Sequence, residues 1–346
     1  MSPDLRRKFL YSLVIALLLY IGLALYSDWG QLASALQAFP WLLLVPVIGL
    51  TLVNYVGRCL RWHWYLRLLG SPISFGDSVR TFGVGMLMVM TPGKAGEFLK
   101  PYMVKNVTGT PMSVTAPVIL AERMLDGMAM LILAAAGLFA FPNTTARAVA
   151  ALVLAVFVVF IIVVQVRPLA LWVIGIGERL PVVKKFASHL HSFYESTRIV
   201  FGLRNLLIAL TVGAICWAAE GVAFYLVLVG FGAPARAETL MVAVFIFCIS
   251  TVIGAAVAMP GGLGGVEGSL VALSIQILAL STAEATAAAL LVRFCTLWLG
   301  VLLGVISFVL WPGLLAGAEA APRPGKEIAT PKQVGKRGFA KTGRNR

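Results

Sequence analysis

Apolar runs alternate with short polar breaks along the whole chain, and two of those runs are interrupted in the same way. The uninterrupted runs predict membrane-spanning helices at Phe9–Tyr26, from Trp41 onward, at about Ser113–Phe141, Ala148–Val166, Asn205–Phe231 and Ala283–Trp311. Most of these approach or exceed the ~20 residues that cross a bilayer. The first interrupted run reads Ser74–Met90, then Pro92-Gly93, then a second short helix over Glu97–Lys105. The other spans about Thr239–Leu280 and breaks over Met259–Gly265. A proline inside a helix removes an amide donor, and glycine loosens the backbone further. At membrane depth such a break survives only where protein or a wet cavity covers the freed groups.

The two breaks share an order of residues as well as a position. MTPGKAGEFLKPYMVK (Met90–Lys105) and MPGGLGGVEGSL (Met259–Leu270) each run from an apolar helix into Pro-Gly, another glycine and a glutamate. Glu97 precedes Arg123 by 26 residues, and Glu267 precedes Arg293 by 26. Pro92, Gly93, Gly96, Pro260, Gly261, Gly262 and Gly264 are the expected hinge positions.

Charge orients the chain. Arg6, Arg7 and Lys8 precede the first helix, and the segment 167–204 holds six Lys/Arg against two acids. The positive-inside rule places these, and the basic tail, on the cytoplasmic side. Ser27–Pro40, carrying only Asp28, reads as an outer loop. FASHLHSFYESTRIVF, within the basic segment, reads as an amphipathic helix lying on the membrane. Lys100 and Lys105 mark the cytoplasmic exit of the first hairpin. The expectation is an all-α polytopic membrane protein with six transmembrane helices. Two re-entrant broken-helix hairpins form an inverted repeat, with halves at about 41–141 and 205–311 in a domain over 1–315 and a disordered cytoplasmic tail at 316–346.

Composition agrees with a membrane rather than a soluble core. Of 346 residues, 60% are hydrophobic and 12% charged, against roughly 25% charged in soluble domains. Mean hydropathy is +0.94. The net charge of +14 therefore points to an anionic leaflet rather than to nucleic acid. Cys59, Cys216, Cys248 and Cys295 are scattered through apolar runs without a CxxC partner, so neither metal nor disulfide framework is expected. His63, His189 and His191 fall at interfaces or in the basic segment. No HExxH occurs.

PGKAGEFLKPYMVK, the ERMLDG of the third helix, and MPGGLGGVEGSL followed by Arg293 resemble the lysylphosphatidylglycerol synthase transmembrane-region family. That family includes the flippase half of the bacterial multiple peptide resistance factor. The resemblance covers about Phe9–Trp311 and implies an inner-membrane protein that translocates a lipid, without a cofactor. Some members also carry a soluble domain that attaches an amino acid or sugar to lipid. Here the loops are short and the tail after Trp311 is small and polar, so translocation without the synthase reaction is expected.

An ionised group at the bilayer centre costs at least about 2.5–3.5 kcal/mol on insertion scales, which makes every intramembrane charge a candidate. Arg58, Arg61, Arg123 and Arg293 offer guanidinium forks suited to a phosphate, and Lys94 sits in the first break. Glu97, Glu220 and Glu267 suit an ammonium group or balance those cations. The same residues have plainer roles open to them. The two 26-residue pairs can staple hairpins to helices, Glu122, Arg123 and Asp126 can satisfy one another, and Arg58 and Arg61 can snorkel to the surface. Rival functions are a secondary transporter of a small solute, a membrane partner of a separate lipid-modifying enzyme, and an intramembrane transferase using an acid as base.

Overall fold

In the computed structural model the described residues are 21–22, 28–91, 96–137, 155, 159, 162, 187–257 and 259–315, with backbone alone at 187–191. They are helical with connecting turns, and no strand occurs among them. Most of the expected first and fourth helices, the basic segment to 186, the tail from 316, and the break residues Pro92, Gly93 and Lys94 lie outside the described residues.

The expected outer loop contains a helix, α1 (Trp29–Ala38). Its start is set by Asp28, whose Oδ1 accepts from the Gly30 amide at 2.9 Å. Leu32 is buried, and α1 lies against the later helix Thr282–Arg293. A side-chain cap plus one apolar anchor made this a helix where its polarity reads as a loop. A 3-10 turn at Trp41–Leu43 leads into α2 (Leu44–Leu68). One face of α2 exposes Val45, Leu52, Val53, Val56 and Leu60. The other buries Val47, Thr51, Asn54, Arg61, Trp62 and Tyr65, at the three- and four-residue spacing of a helical stripe. The polar residues face protein and the aliphatic ones face outward, the reverse of a water-soluble helix.

The first broken segment comprises α3 (Phe75–Leu87), a 3-10 turn (Met88–Met90) and α4 (Leu99–Thr108). Ser71 Oγ and Thr110 Oγ1 are 3.0 Å apart, so the chain leaves this segment beside where it entered. At 1.5 Å per residue the two arms are about 20 and 15 Å long, each short of the ~30 Å hydrocarbon core. α5 (Met112–Gly137) follows. α6 (Ala187–Val200) falls in the stretch expected to lie on the membrane. It packs along α5 and buries Tyr194, Val200 and the following Phe201, so protein covers part of its apolar stripe.

α7 (Leu203–Gly230) runs antiparallel to α2 along most of its length. Asn54 Nδ2 donates to the Cys216 carbonyl at 3.0 Å, and Arg61 Nη1 to the Ala209 carbonyl at 3.4 Å. The second broken segment is α8 (Ala237–Val257), a 3-10 turn at Pro260–Gly262 and α9 (Gly265–Leu278). α10 (Thr282–Arg293), a π-helical turn (Phe294–Trp298) and α11 (Leu299–Leu310) complete the bundle. Trp41–Leu68, Leu203–Gly230, Ala237–Val257, Pro260–Leu278 and Thr282–Leu310 are long and apolar enough to cross a membrane. α5 has the length but carries Glu122, Arg123 and Asp126. The chain is thus a multi-pass membrane protein.

Three helix boundaries recur at a spacing of 170 positions. It relates the ends of α3 and α8 at Leu87 and Val257, and the left-handed caps Gly109 (φ +76°) and Ala279 (φ +54°). It also relates the starts of α5 and α10 at Met112 and Thr282. Glu97 and Glu267, and Arg123 and Arg293, obey it too. The two 3-10 turns touch. Leu87, Met88, Met90, Leu263, Leu297 and Val301 form an apolar seam there. α3 and α11 meet so closely that a Cβ at Gly304 would lie 2.4 Å from the Leu87 amide nitrogen, which leaves room for no other residue.

Candidate functional site

Between the two breaks lies a cavity of about 380 Å³, large enough for a polar headgroup. Its walls come from both halves. α2 contributes Asn54, Tyr55 and Arg58, and the first segment Gly85, Val89, Glu97 and Lys100. α5 adds Arg123 and Asp126, and α7 adds Trp217 and Glu220. The second break brings Gly261 and Gly262, with Arg293 and Thr296 beyond it.

Most charges around this cavity are committed to one another. Arg293 Nε donates to Glu267 Oε1 at 2.7 Å, and Arg293 Nη2 donates to the Gly261 carbonyl at 2.6 Å. Glu267 Oε2 accepts from the Gly264 amide at 2.8 Å. Both oxygens of Glu267 are therefore engaged, one capping α9 and one holding Arg293, and the residue lies behind the cavity wall with no exposed surface. Glycine is required in this turn, since Gly261 and Gly264 have φ of +61° and +83°. A Cβ at Gly261 would also stand 3.2 Å from Met90 Sδ of the opposite break.

The first break is held by more charges. Arg123 Nε lies 3.3 Å from Glu97 Oε2, and Arg123 Nη2 lies 3.4 Å from Asp126 Oδ2. Asp126 Oδ1 takes its closest donor, Arg61 Nη2 at 2.5 Å, from α2. Lys100 Nζ donates to Glu122 Oε2 at 2.7 Å and stands 4.5 Å from the Trp62 ring centroid. Thr91 Oγ1 donates to the Met88 carbonyl at 2.6 Å and accepts from the Gly96 amide at 2.8 Å, clamping the two ends of the break.

Both 26-residue pairs are thus in contact. Arg61, expected as a headgroup-binding residue with snorkelling as its plainer role, does neither here: it is buried and paired, because the Asp126 carboxylate and the Ala209 carbonyl give it acceptors inside the bundle. Lys100 is buried with Glu122 rather than marking a cytoplasmic exit. Arg58, Glu97, Arg123, Glu220, Arg293, Gly261 and Gly262 line the cavity, whereas Arg61, Gly96, Pro260, Gly264 and Glu267 stand outside its wall. The Lys100–Glu122 pair escaped the sequence reading although a signal existed. A contact between 97 and 123 brings the next turn of the second arm, at Lys100, beside the same stretch of α5, where Glu122 adjoins Arg123.

Two lining charges stand apart. Among the described residues no hydrogen bond or ion pair reaches Arg58 or Glu220, and Arg58 Nε and Glu220 Oε2 are buried without a partner. Glu220 is 3% exposed. The Trp217 indole N–H, three residues from Glu220, is likewise buried without an acceptor. Groups of three or more His, Cys, Asp or Glu able to hold a metal ion are absent among the described residues.

Residues 10–304 match the family profile described as the lysylphosphatidylglycerol synthase TM region. A UPF0104 membrane protein of Methanothermobacter thermautotrophicus is 25% identical over 320 residues, covering 85% of this chain and 92% of that protein. A second UPF0104 membrane protein of the same organism is 24% identical over 326 residues, covering 88% and 93%.

Proposed function

The chain belongs to the lysylphosphatidylglycerol synthase transmembrane-region family, and on that premise we propose that it binds the headgroup of a phospholipid or modified lipid between its two breaks and moves it across the membrane. The observation that carries this reading is the cavity at the junction of the two breaks. It is lined by charges from both halves, two of which have no protein partner among the described residues. Buried ionisable groups in a membrane protein are costly, and they persist where a polar substrate passes. The apolar outer faces of α2, α7 and α11 leave the acyl chains in lipid while the headgroup enters the protein.

The 170-position spacing of these boundaries and of the Glu–Arg pairs supports an inverted repeat, with the first segment a re-entrant hairpin and the second its counterpart from the opposite side. In this reading the protein sits in a cell inner membrane with both termini cytoplasmic. One half rocks against the other at the apolar seam, where few polar contacts need to be broken, and the ion pairs keep each half rigid. Arg123 and Arg293 face the headgroup, while Glu97 and Glu267 hold them in place.

The test is headgroup accessibility in proteoliposomes of the purified protein, using acyl-labelled fluorescent phospholipids and a membrane-impermeant quencher. Native protein is expected to expose inner-leaflet lipid at rates well above empty liposomes, and Glu97→Gln to slow the exchange. Folded protein that moves none of several headgroups would turn the reading toward a small-solute transporter or the partner of a separate lipid-modifying enzyme.

A further inference from the structure

Arg58 and Glu220 are the cavity's uncommitted charges, and their placement makes them a pair with a gap. Arg58 is on α2 and Glu220 on the antiparallel α7. Asn54 meets Cys216, and a Cβ at Gly57 would strike Cys216 Sγ at 2.4 Å, which fixes the register. Helical side chains lean toward their own N-terminus. In this register Arg58 leans toward the level of Asn54 and Glu220 toward that of Cys216, so the two side chains converge. No ion pair forms between them, and Arg58 Nε and Glu220 Oε2 both remain without a partner.

The surroundings differ at the two ends. Beside Glu220 the cavity wall is aromatic, with Trp217 and Phe247. A buried carboxylate beside aromatic faces suits an ammonium ion, through charge and cation–π attraction together. Arg58 offers a guanidinium fork, which suits a phosphate. The other lining charges are already neutralised by protein partners: Glu97 with Arg123, Asp126 with Arg61, Lys100 with Glu122, and Arg293 with Glu267. The vacant complement is therefore one positive and one negative group in a single cavity.

Building on the proposed lipid translocation, we propose that Arg58 and Glu220 form a two-ended site for a zwitterion in which a phosphodiester and an ammonium lie a short linker apart, Arg58 taking the phosphate and Glu220, beside Trp217, the ammonium. The site distinguishes such a headgroup from an anionic one of similar size, because an anion without an ammonium leaves the Glu220 carboxylate buried and unanswered.

The experiment has two arms on the full chain. In proteoliposomes, exchange of acyl-labelled phosphatidylethanolamine is compared with that of acyl-labelled phosphatidylglycerol. In detergent, calorimetric titration compares glycerophosphoethanolamine with glycerol 3-phosphate. The native protein is expected to favour the ammonium-bearing probe by about tenfold or more in each arm, as expected for a charge-assisted contact. Glu220→Gln should abolish the preference while keeping phosphate binding, and Arg58→Gln should weaken every phosphate probe. Lipid exchange with no headgroup preference in the native protein overturns this inference and leaves translocation standing. Preferential binding of glycerophosphoethanolamine, lost in Glu220→Gln, with no lipid exchange keeps the zwitterion site and overturns the lipid reading. The native comparison decides even if a variant fails to fold.

Discussion

The two broken segments solve one problem with different chemistry. Both place a glutamate at the start of the second arm and an arginine in the following helix, and both pairs are in contact. One turn further along the second arm they diverge. The first segment has Lys100 bonded to Glu122 at 2.7 Å. At the positions related by the 170-residue spacing, the second has Leu270 and Val292, both fully buried in the apolar core. The molecule thus contains its own apolar substitute for a buried salt bridge. Desolvating two charges offsets most of their attraction, so packing alone can hold such an arm. The second segment adds a single ion pair, a carboxylate cap and three glycines of positive φ. The first adds charges that open onto the cavity. One segment is built as a fixed wall and the other as a charged one.

The largest expected effect breaks the second segment. Glu267→Leu leaves Arg293 buried without its carboxylate and removes the cap on Gly264. The loss should be about 3–5 kcal/mol from the pair, with about 0.5–2 more from the cap. The midpoint of thermal unfolding in detergent should fall accordingly, and an unchanged midpoint would show that the pair does not hold this segment.

Next comes a test of the comparison itself. Lys100→Leu alone should cost about 3–5 kcal/mol, because Glu122 is left buried and alone. Adding Glu122→Val copies the second segment into the first and should restore stability to within about 1 kcal/mol of native or beyond it. A double-mutant cycle measures this, and a double variant as weak as the single would mean that the two segments are not packed equivalently.

Gly261→Ala introduces a left-handed non-glycine residue and crowds Met90 across the seam. It should cost about 1–3 kcal/mol, read as increased protease sensitivity of the 259–265 turn. The smallest effect lies outside the core. Asp77 meets Arg80 at 3.2 Å, with the arginine side chain 49% exposed. Asp77→Asn should change stability by less than about 1 kcal/mol, and the change should shrink further in high salt.

Much of the fold was legible because the bilayer is a demanding solvent. Long apolar runs give spans, and the boundaries of α2, α7, α10 and α11 follow the hydropathy of the chain closely. The second break was legible because only glycine adopts its conformation freely. The pairing of Glu97 with Arg123 and of Glu267 with Arg293 was legible because the spacing repeats. α1 was not, because its helix depends on one cap and one buried leucine within a polar stretch. The docking of α6 was not, because an amphipathic stripe reads alike whether lipid or protein covers it.

The sequence by itself therefore determined a multi-pass helical protein with two glycine-marked breaks, since solvent and backbone sterics act residue by residue. Beyond the two repeated Glu–Arg pairs, which charges cancel was decided only by the tertiary structure. Arg61, Lys100 and Arg58 are alike as cations in the sequence. Packing gave the first Asp126 and the second Glu122, while Arg58 faces Glu220 across a cavity without touching it. A partner within hydrogen-bond reach is a property of three-dimensional register, and a single turn of helix separates the paired Arg61 from Arg58, whose Nε has no partner.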